Sequence, residues 1–388
     1  MAGSFLEKIC FNLTKKRPEQ QEDNNITFMK TNKRLTICLA TTFLFLLSIR
    51  AQDRADRLQP DDKNSFSMIV LGDPQGYVKY DINQPIFELC TAWIADNIDQ
   101  LNIKAVLCTG DLVEQNENIT LNRKMLNQTS EEMWQSSSRS FARLDNKVPY
   151  IISCGNHDYG YKNAECGITH FPDYFPVKRN STWKDCLVAD FPNRNGVVSL
   201  ENAAFEFKNE SWGTVLIVTT EFAPRNEVLD WAGSIISKKE YADAKVIFMT
   251  HSFIQERNAK RVDNEHYKIS PRNWGQAVWD KLVYPSSNID MVICGHMGEP
   301  GEFEDAVAYR VDKNKAGKNV HQMMFNVQVS GGGWEGNGGD GWLRILEFMP
   351  DGKTISVKTY SPLFGISPST RHLAKRTGAC DQFKMVIE

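Results

Sequence analysis

Val148-Pro149-Tyr150-Ile151-Ile152-Ser153-Cys154-Gly155-Asn156-His157-Asp158 is an apolar run that stops abruptly in residues able to do chemistry. A β-branched run punctuated by glycine reads as a buried strand ending where the backbone must turn tightly. Asn156 and His157 emerge at its carboxyl end. Open α/β sheets usually hold their ligands at that edge, so an amide oxygen and an imidazole there point to a metal or phosphate site.

The pattern recurs along the chain. Residues 66–71 run into Gly72-Asp73-Pro74-Gln75, and residues 105–109 run into Gly110-Asp111-Leu112-Val113-Glu114. Later, residues 246–250 end at His251, and residues 291–294 end at Gly295-His296. Core packing or solvated loops would not place five metal-capable side chains in series at the same end of five strands.

In order and strand context these motifs resemble the calcineurin-like metallophosphoesterase superfamily. Its order is Asp-x-His, Gly-Asp, Gly-Asn-His-Asp/Glu, a lone His, then Gly-His-x-His. The resemblance covers residues 66–298. It implies an α/β fold: a two-sheet β sandwich flanked by helices, in four layers α/β/β/α. It also implies hydrolysis of phosphoesters at a pair of divalent ions.

Carried over position by position, the resemblance makes Asp111 the bridging ligand. Asn156, His251 and His296 complete one site, for Mn, Fe or Zn. Asp73 and Gln75 with Asp111 form the other, whose all-oxygen donors suit Mn or Mg. His157 matches a histidine that is not a ligand and that protonates the leaving oxygen or holds a phosphate oxygen. Glu114 is its expected partner, since a nearby carboxylate favours the charged imidazole.

Two positions depart from the pattern: Gln75 stands where a first His is usual, and Gly298 where a last His often stands. Protein phosphatases of the superfamily place an Arg soon after the second Asp motif. Gln115 and Asn116 follow Glu114 here, which leaves a small phosphomonoester or a diester open as substrate.

The net charge of −3 over 388 residues gives no basic footprint for a nucleic-acid backbone, so the expected partner is a phosphorylated small molecule or other phosphoester. Residues 1–34 are polar and charged, and residues 35–49 carry no charge. Fifteen helical residues span about 22 Å, short of the ~30 Å hydrocarbon core, so a signal-peptide core fits better than a membrane span. Lys30, Lys33 and Arg34 supply a basic flank, and Ser48-Ile49-Arg50-Ala51 places cleavage before Gln52.

The chain thus divides into a leader with signal peptide or signal anchor (1–51) and a catalytic domain (52–388). Secretion or export to a periplasm is expected, with a membrane anchor as the alternative. In an exported chain Cys166 and Cys186 are the expected disulfide.

Alternating strand and helix patterns predict βαβ units, with helices over 84–99 and 130–144 between the first three strands. Thr129-Ser130-Glu131-Glu132 reads as a capping box opening the second helix. Residues 159–195 lose regular period and are rich in aromatics, so they either cover the site or form an insertion with a small core of their own.

Then come a hairpin over 197–207 turning at Asn202-Ala203, a strand over 214–220, and helices over 226–237 and 273–282. Strands follow over 306–311, 322–330, 342–348 and 354–360. The glycine-rich stretch 331–340 reads as a mobile loop, with Trp334 either reaching the site or without a role.

Two functions fit. One is a secreted metal-dependent phosphoesterase. The other is a catalytically silent scaffold in which Gln75 and Gly298 mark a lost metal. The joint presence of Asn156, His157, His251 and His296 favours the enzyme, because a scaffold has no need of the full set.

Overall fold

All five apolar runs that end in candidate donors are strands. The computed structural model describes residues 58–118 and 125–388, of which Pro60–Glu388 form one compact unit. The leader, the apolar stretch 35–49 and the proposed cleavage before Gln52 lie outside the described residues. Among the described residues no helix is long and apolar enough to cross a membrane.

Strands β1 (Phe66–Leu71), β2 (Ile103–Cys108) and β3 (Tyr150–Ile152) lie parallel and adjacent. The chain then builds a second sheet from β4 (Leu187–Asp190), β5 (Ala203–Asn209), β6 (Gly213–Thr219), β7 (Lys245–Met249), β8 (Ile289–Cys294), β9 (Val307–Lys313) and β10 (Asn319–Phe325). Its spatial order is β4-β5-β6-β7-β8-β10-β9.

The chain returns to the first sheet with β11 (Leu343–Phe348), β12 (Thr354–Tyr360), β13 (Lys375–Arg376) and β14 (Phe383–Val386). Strand β11 pairs antiparallel with β1, giving the order β13-β12-β11-β1-β2-β3 with β14 beside β12. The result is two mixed sheets of seven strands with helices around them. β1 and β8 are buried at every position, as parallel strands covered on both faces should be.

Helix α1 (Gln84–Asp96) joins β1 to β2, and α2 (Ser130–Phe141) joins β2 to β3. The capping box forms: the Glu132 amide donates to Thr129 Oγ1 (3.3 Å) and the Thr129 amide to Glu132 Oε2 (2.7 Å), a cap of the kind that contributes about 1 kcal/mol. Helix α3 (Asn226–Ile236) buries Leu229, Ala232, Ile235 and Ile236 in one cluster with Leu216, Val218, Val246 and Phe248 of the second sheet. That spacing is one helical face meeting alternate residues of strands.

The expected hairpin at Asn202-Ala203 is not there. Asn202 is buried, accepting from the Glu221 amide (2.8 Å) and donating to Glu221 Oε2 (3.1 Å), which leaves it unable to serve as a solvated turn. The turn falls instead between β5 and β6, where Asn209 Oδ1 accepts from the Ser211 and Trp212 amides. The helix expected over 273–282 is one turn, Gly275–Val278, that widens into a π-type turn, Trp279–Val283.

Residues 331–341 form a run of tight turns. Asn337 Oδ1 accepts from the Gly339 and Asp340 amides, and the Gly341 amide donates to the Tyr77 hydroxyl (3.0 Å). Cys166 and Cys186 are both free thiols, contrary to the expected bridge. Cys186 is turned inward, its Sγ donating to the Thr182 carbonyl (3.5 Å), whereas Cys166 lies in a loop gathered around the Glu165 carboxylate.

Candidate metal centre

Asp73, Asp111 and Asn156 follow β1, β2 and β3, and His251 and His296 follow β7 and β8, so both sheets deliver donors at their carboxyl ends. The backbone is bent to bring them in. Asp111 (φ 50°) and His296 (φ 69°) are left-handed, a conformation that costs a non-glycine residue roughly 1–2 kcal/mol and clusters at functional sites. Gly110 (φ 118°) packs where a Cβ would meet His251 Nδ1 at 2.6 Å, so only glycine lets the imidazole approach.

Four of the predicted donors converge. His251 Nε2 lies 3.2 Å from Asp111 Oδ2 and 3.1 Å from Asn156 Oδ1. Ligand atoms of Asp111, His251 and His296 all lie within 4.8 Å of one another. Each is held from behind. His251 Nδ1 donates to the Thr109 carbonyl (2.7 Å), which leaves Nε2 toward the centre. The Asn156 amide group donates to Asn163 Oδ1 (2.8 Å), which turns its oxygen inward. The His157 amide donates to Asp111 Oδ1 (2.9 Å).

Asp73 is buried beside them, accepting from Thr109 Oγ1 (2.6 Å) and from the His296 amide (2.9 Å). Gln75 begins a single helical turn, Gln75–Val78, and its Oε1 is buried with no hydrogen-bond partner. A buried carbonyl oxygen without a partner is costly, and a hard cation would satisfy it.

The electrostatics of the protein alone agree with that fit. Burial pushes the Asp73 pKa up, with Asp111 adding to the rise. Burial also opposes charge on Asp111 and on His251. Their mutual attraction prevails, holding Asp111 low and His251 high. A divalent cation would supply the positive charge that these acids otherwise draw from protons.

His157 is held by Glu114, the partner expected, but through its main-chain carbonyl. Its Nδ1 donates to the Glu114 carbonyl (2.6 Å), while the Glu114 carboxylate pairs with buried Lys79 (3.3 Å). Burial pushes the imidazole pKa down, but the Asp111 and Glu114 charges outweigh it and the net shift is upward. His157 Nε2 has no protein partner among the described residues. Asp158 faces the backbone, accepting from the Leu112 (2.7 Å), Val113 (3.3 Å) and Gly155 (2.8 Å) amides. It fixes the Asp111 and Asn156 loops to each other.

Asn116, one of the two residues that follow Glu114, is fully buried. It donates to the Gly160 carbonyl (2.7 Å) and accepts from the His170 amide (3.0 Å). Of residues 159–195, Phe171, Phe175 and Trp183 pack on Phe141 and Tyr150 as a small core, and Asn163 bonds to the side chain of the predicted donor Asn156.

The residue that sequence reasoning missed is Glu265. Its Oε2 lies 2.5 Å from His296 Nε2 and its Oε1 accepts from Ser252 Oγ (2.6 Å). It sits between His251 and the turn at Gly275, in a segment with no regular period and therefore no signal. Phe222, Tyr267 and Trp274 wall the same side, with the Phe222 ring 5.8 Å from His251 and 5.9 Å from His296.

Comparison with known proteins bears on this geometry. The uncharacterized protein YvnB of Bacillus subtilis (strain 168) is 29% identical over 312 residues, covering 78% of this chain and 20% of its own length. The chain thus spans about a fifth of the curated relative it matches. Among solved structures, the purple acid phosphatase PPD1 from yellow lupin (Lupinus luteus) seeds aligns with a TM-score of 0.45 and 11% identity, over 84% of this chain and 55% of that one. GAP50, the anchor in the inner membrane complex of Plasmodium, aligns with a TM-score of 0.43 and 11% identity, over 84% and 90%. The model of the calcineurin-like phosphoesterase family matches residues 66–300, more than half of the 388, and takes in every predicted donor. The chain belongs to the calcineurin-like phosphoesterase family.

Proposed function

We propose that this protein hydrolyses a phosphomonoester or phosphodiester of a small molecule, using two divalent cations. One is held by Asp111, Asn156, His251 and His296, and the other by Asp73, Gln75 and Asp111. The observation that carries this reading is the approach of Asp111 Oδ2 and Asn156 Oδ1 to His251 Nε2, all three residues buried. Such ions, when bound, polarise a phosphoryl oxygen and activate water.

The chain's own residues then have separable tasks. His157, its Nδ1 committed to a carbonyl, presents Nε2 to the leaving oxygen and gives it a proton as the P–O bond breaks. Asp158 holds the two donor loops in register. Asn116 is committed to the backbone and offers the substrate no cationic grip. Phosphate-release assays on monoesters and diesters with added Mn²⁺ or Mg²⁺ test the proposal. Absence of turnover at saturating metal would establish the silent scaffold in its place.

The donor sets predict unequal retention. A glutamine oxygen holds a cation less firmly than imidazole, so about one ion should survive dialysis and the second should be needed in the buffer. Gln75→His should raise the ions retained toward about two, read by elemental analysis. Unchanged stoichiometry together with an unchanged Mn²⁺ requirement would remove Gln75 from the donor set.

A further inference from the structure

We infer that Glu265 is a positioning residue of the metal centre: it holds His296 through Nε2 so that Nδ1 is the nitrogen left for a cation. The inference rests on the assignment of His296 to the cation held with Asp111, Asn156 and His251. Both Glu265 oxygens are already engaged, one by Ser252 Oγ and one by His296 Nε2. The His296 and Glu265 side chains are only 8% and 7% exposed, so water competes poorly for either bond.

An imidazole that donates one N–H to a carboxylate has its tautomer fixed and its other nitrogen made a stronger ligand. The two histidines therefore differ in kind, since His251 donates to the neutral Thr109 carbonyl and His296 to a carboxylate. Ser252 directly follows His251 in the chain, so one carboxylate fixes both strand ends to the segment before Gly275. The Asn326 amide group, donating to the His296 carbonyl (2.9 Å), holds the main chain of that residue while Glu265 holds its ring.

The test is titration of metal-stripped protein with Zn²⁺, an ion that favours imidazole, comparing wild type with Glu265→Ala, Glu265→Gln and His251→Ala. Glu265→Ala should bind Zn²⁺ about 10–100-fold more weakly while the stoichiometry at saturation stays unchanged. Glu265→Gln keeps an acceptor oxygen for His296 and should lose less. His251→Ala should lose the ion altogether. Melting temperatures without metal identify a variant that fails to fold, and the isosteric Gln variant then decides.

Wild-type affinity in Glu265→Ala would overturn the inference. So would a loss as complete as that of His251→Ala, which would make Glu265 a ligand itself. If His251→Ala loses the ion and Glu265→Ala does not differ from wild type, the positioning role alone falls. If wild type binds no cation, or His251→Ala binds like wild type, the metal-centre reading falls and takes the inference with it.

Discussion

Replacing His251 with alanine is expected to empty the centre of its firmly held cation and to reduce phosphoester hydrolysis to background. The side chain is fully buried, with one nitrogen on the Thr109 carbonyl and the other facing Asp111 and Asn156. Alanine leaves that carbonyl unpaired and Asp111 without its neighbouring positive charge. Removing one member of a buried ion pair costs about 3–5 kcal/mol, so the metal-free variant should also melt well below the metal-free wild type.

The sign of the pH dependence follows from the two shifts. Asp111 is held low, so its contribution is lost as pH falls through the folded value; His251 is held high, so its contribution is lost as pH rises through its own. The stability gap between wild type and variant should therefore be widest between those limits. Elemental analysis and calorimetry without metal read both effects. Retention of metal with normal turnover would remove His251 from the centre.

His157→Ala should leave metal content intact and lower kcat by about 10²–10⁴-fold, roughly 3–5 kcal/mol of barrier. His157 bonds to Glu114 and Asp111 through its ring and its amide, and an alanine keeps the amide bond that holds the Asp111 loop. The loss should be greatest for alkyl esters, whose basic leaving oxygen needs a proton, and smallest for nitrophenyl esters. Because the imidazole pKa is raised, wild-type kcat should decline only as pH climbs through that raised value, and the decline should vanish in the variant. Equal losses for both leaving groups would argue against proton donation.

Much of this was legible in the sequence because strand and function coincide. Apolar runs such as Met68–Leu71 and Val246–Met249 announce themselves by burial on both faces, and the polar residue that ends each run stands out against it. The Thr129 cap and the span of α3 were readable for the same local reason. What escaped depends on tertiary contacts with no sequence period. Glu265 lies in an irregular segment, and its role appears only when His296 is set beside it. Asn202 looks like a turn residue and is committed to Glu221, a residue nineteen positions away. Glu114 was identified as the partner of His157, but the carbonyl and not the carboxylate makes the bond, a distinction that residue type cannot convey.

The pairing of β1 with β11 sets the order in which the molecule can be completed on the ribosome. Phe66 lies opposite Phe348, yet the last candidate ligand, His296, leaves the exit tunnel well before β11 begins at Leu343. A nascent chain thus carries every donor while one edge of β1 still lacks its partner, and a bare apolar edge is a template for wrong pairing. Every candidate donor is therefore made before β11, and the protection of the central strand comes only after them.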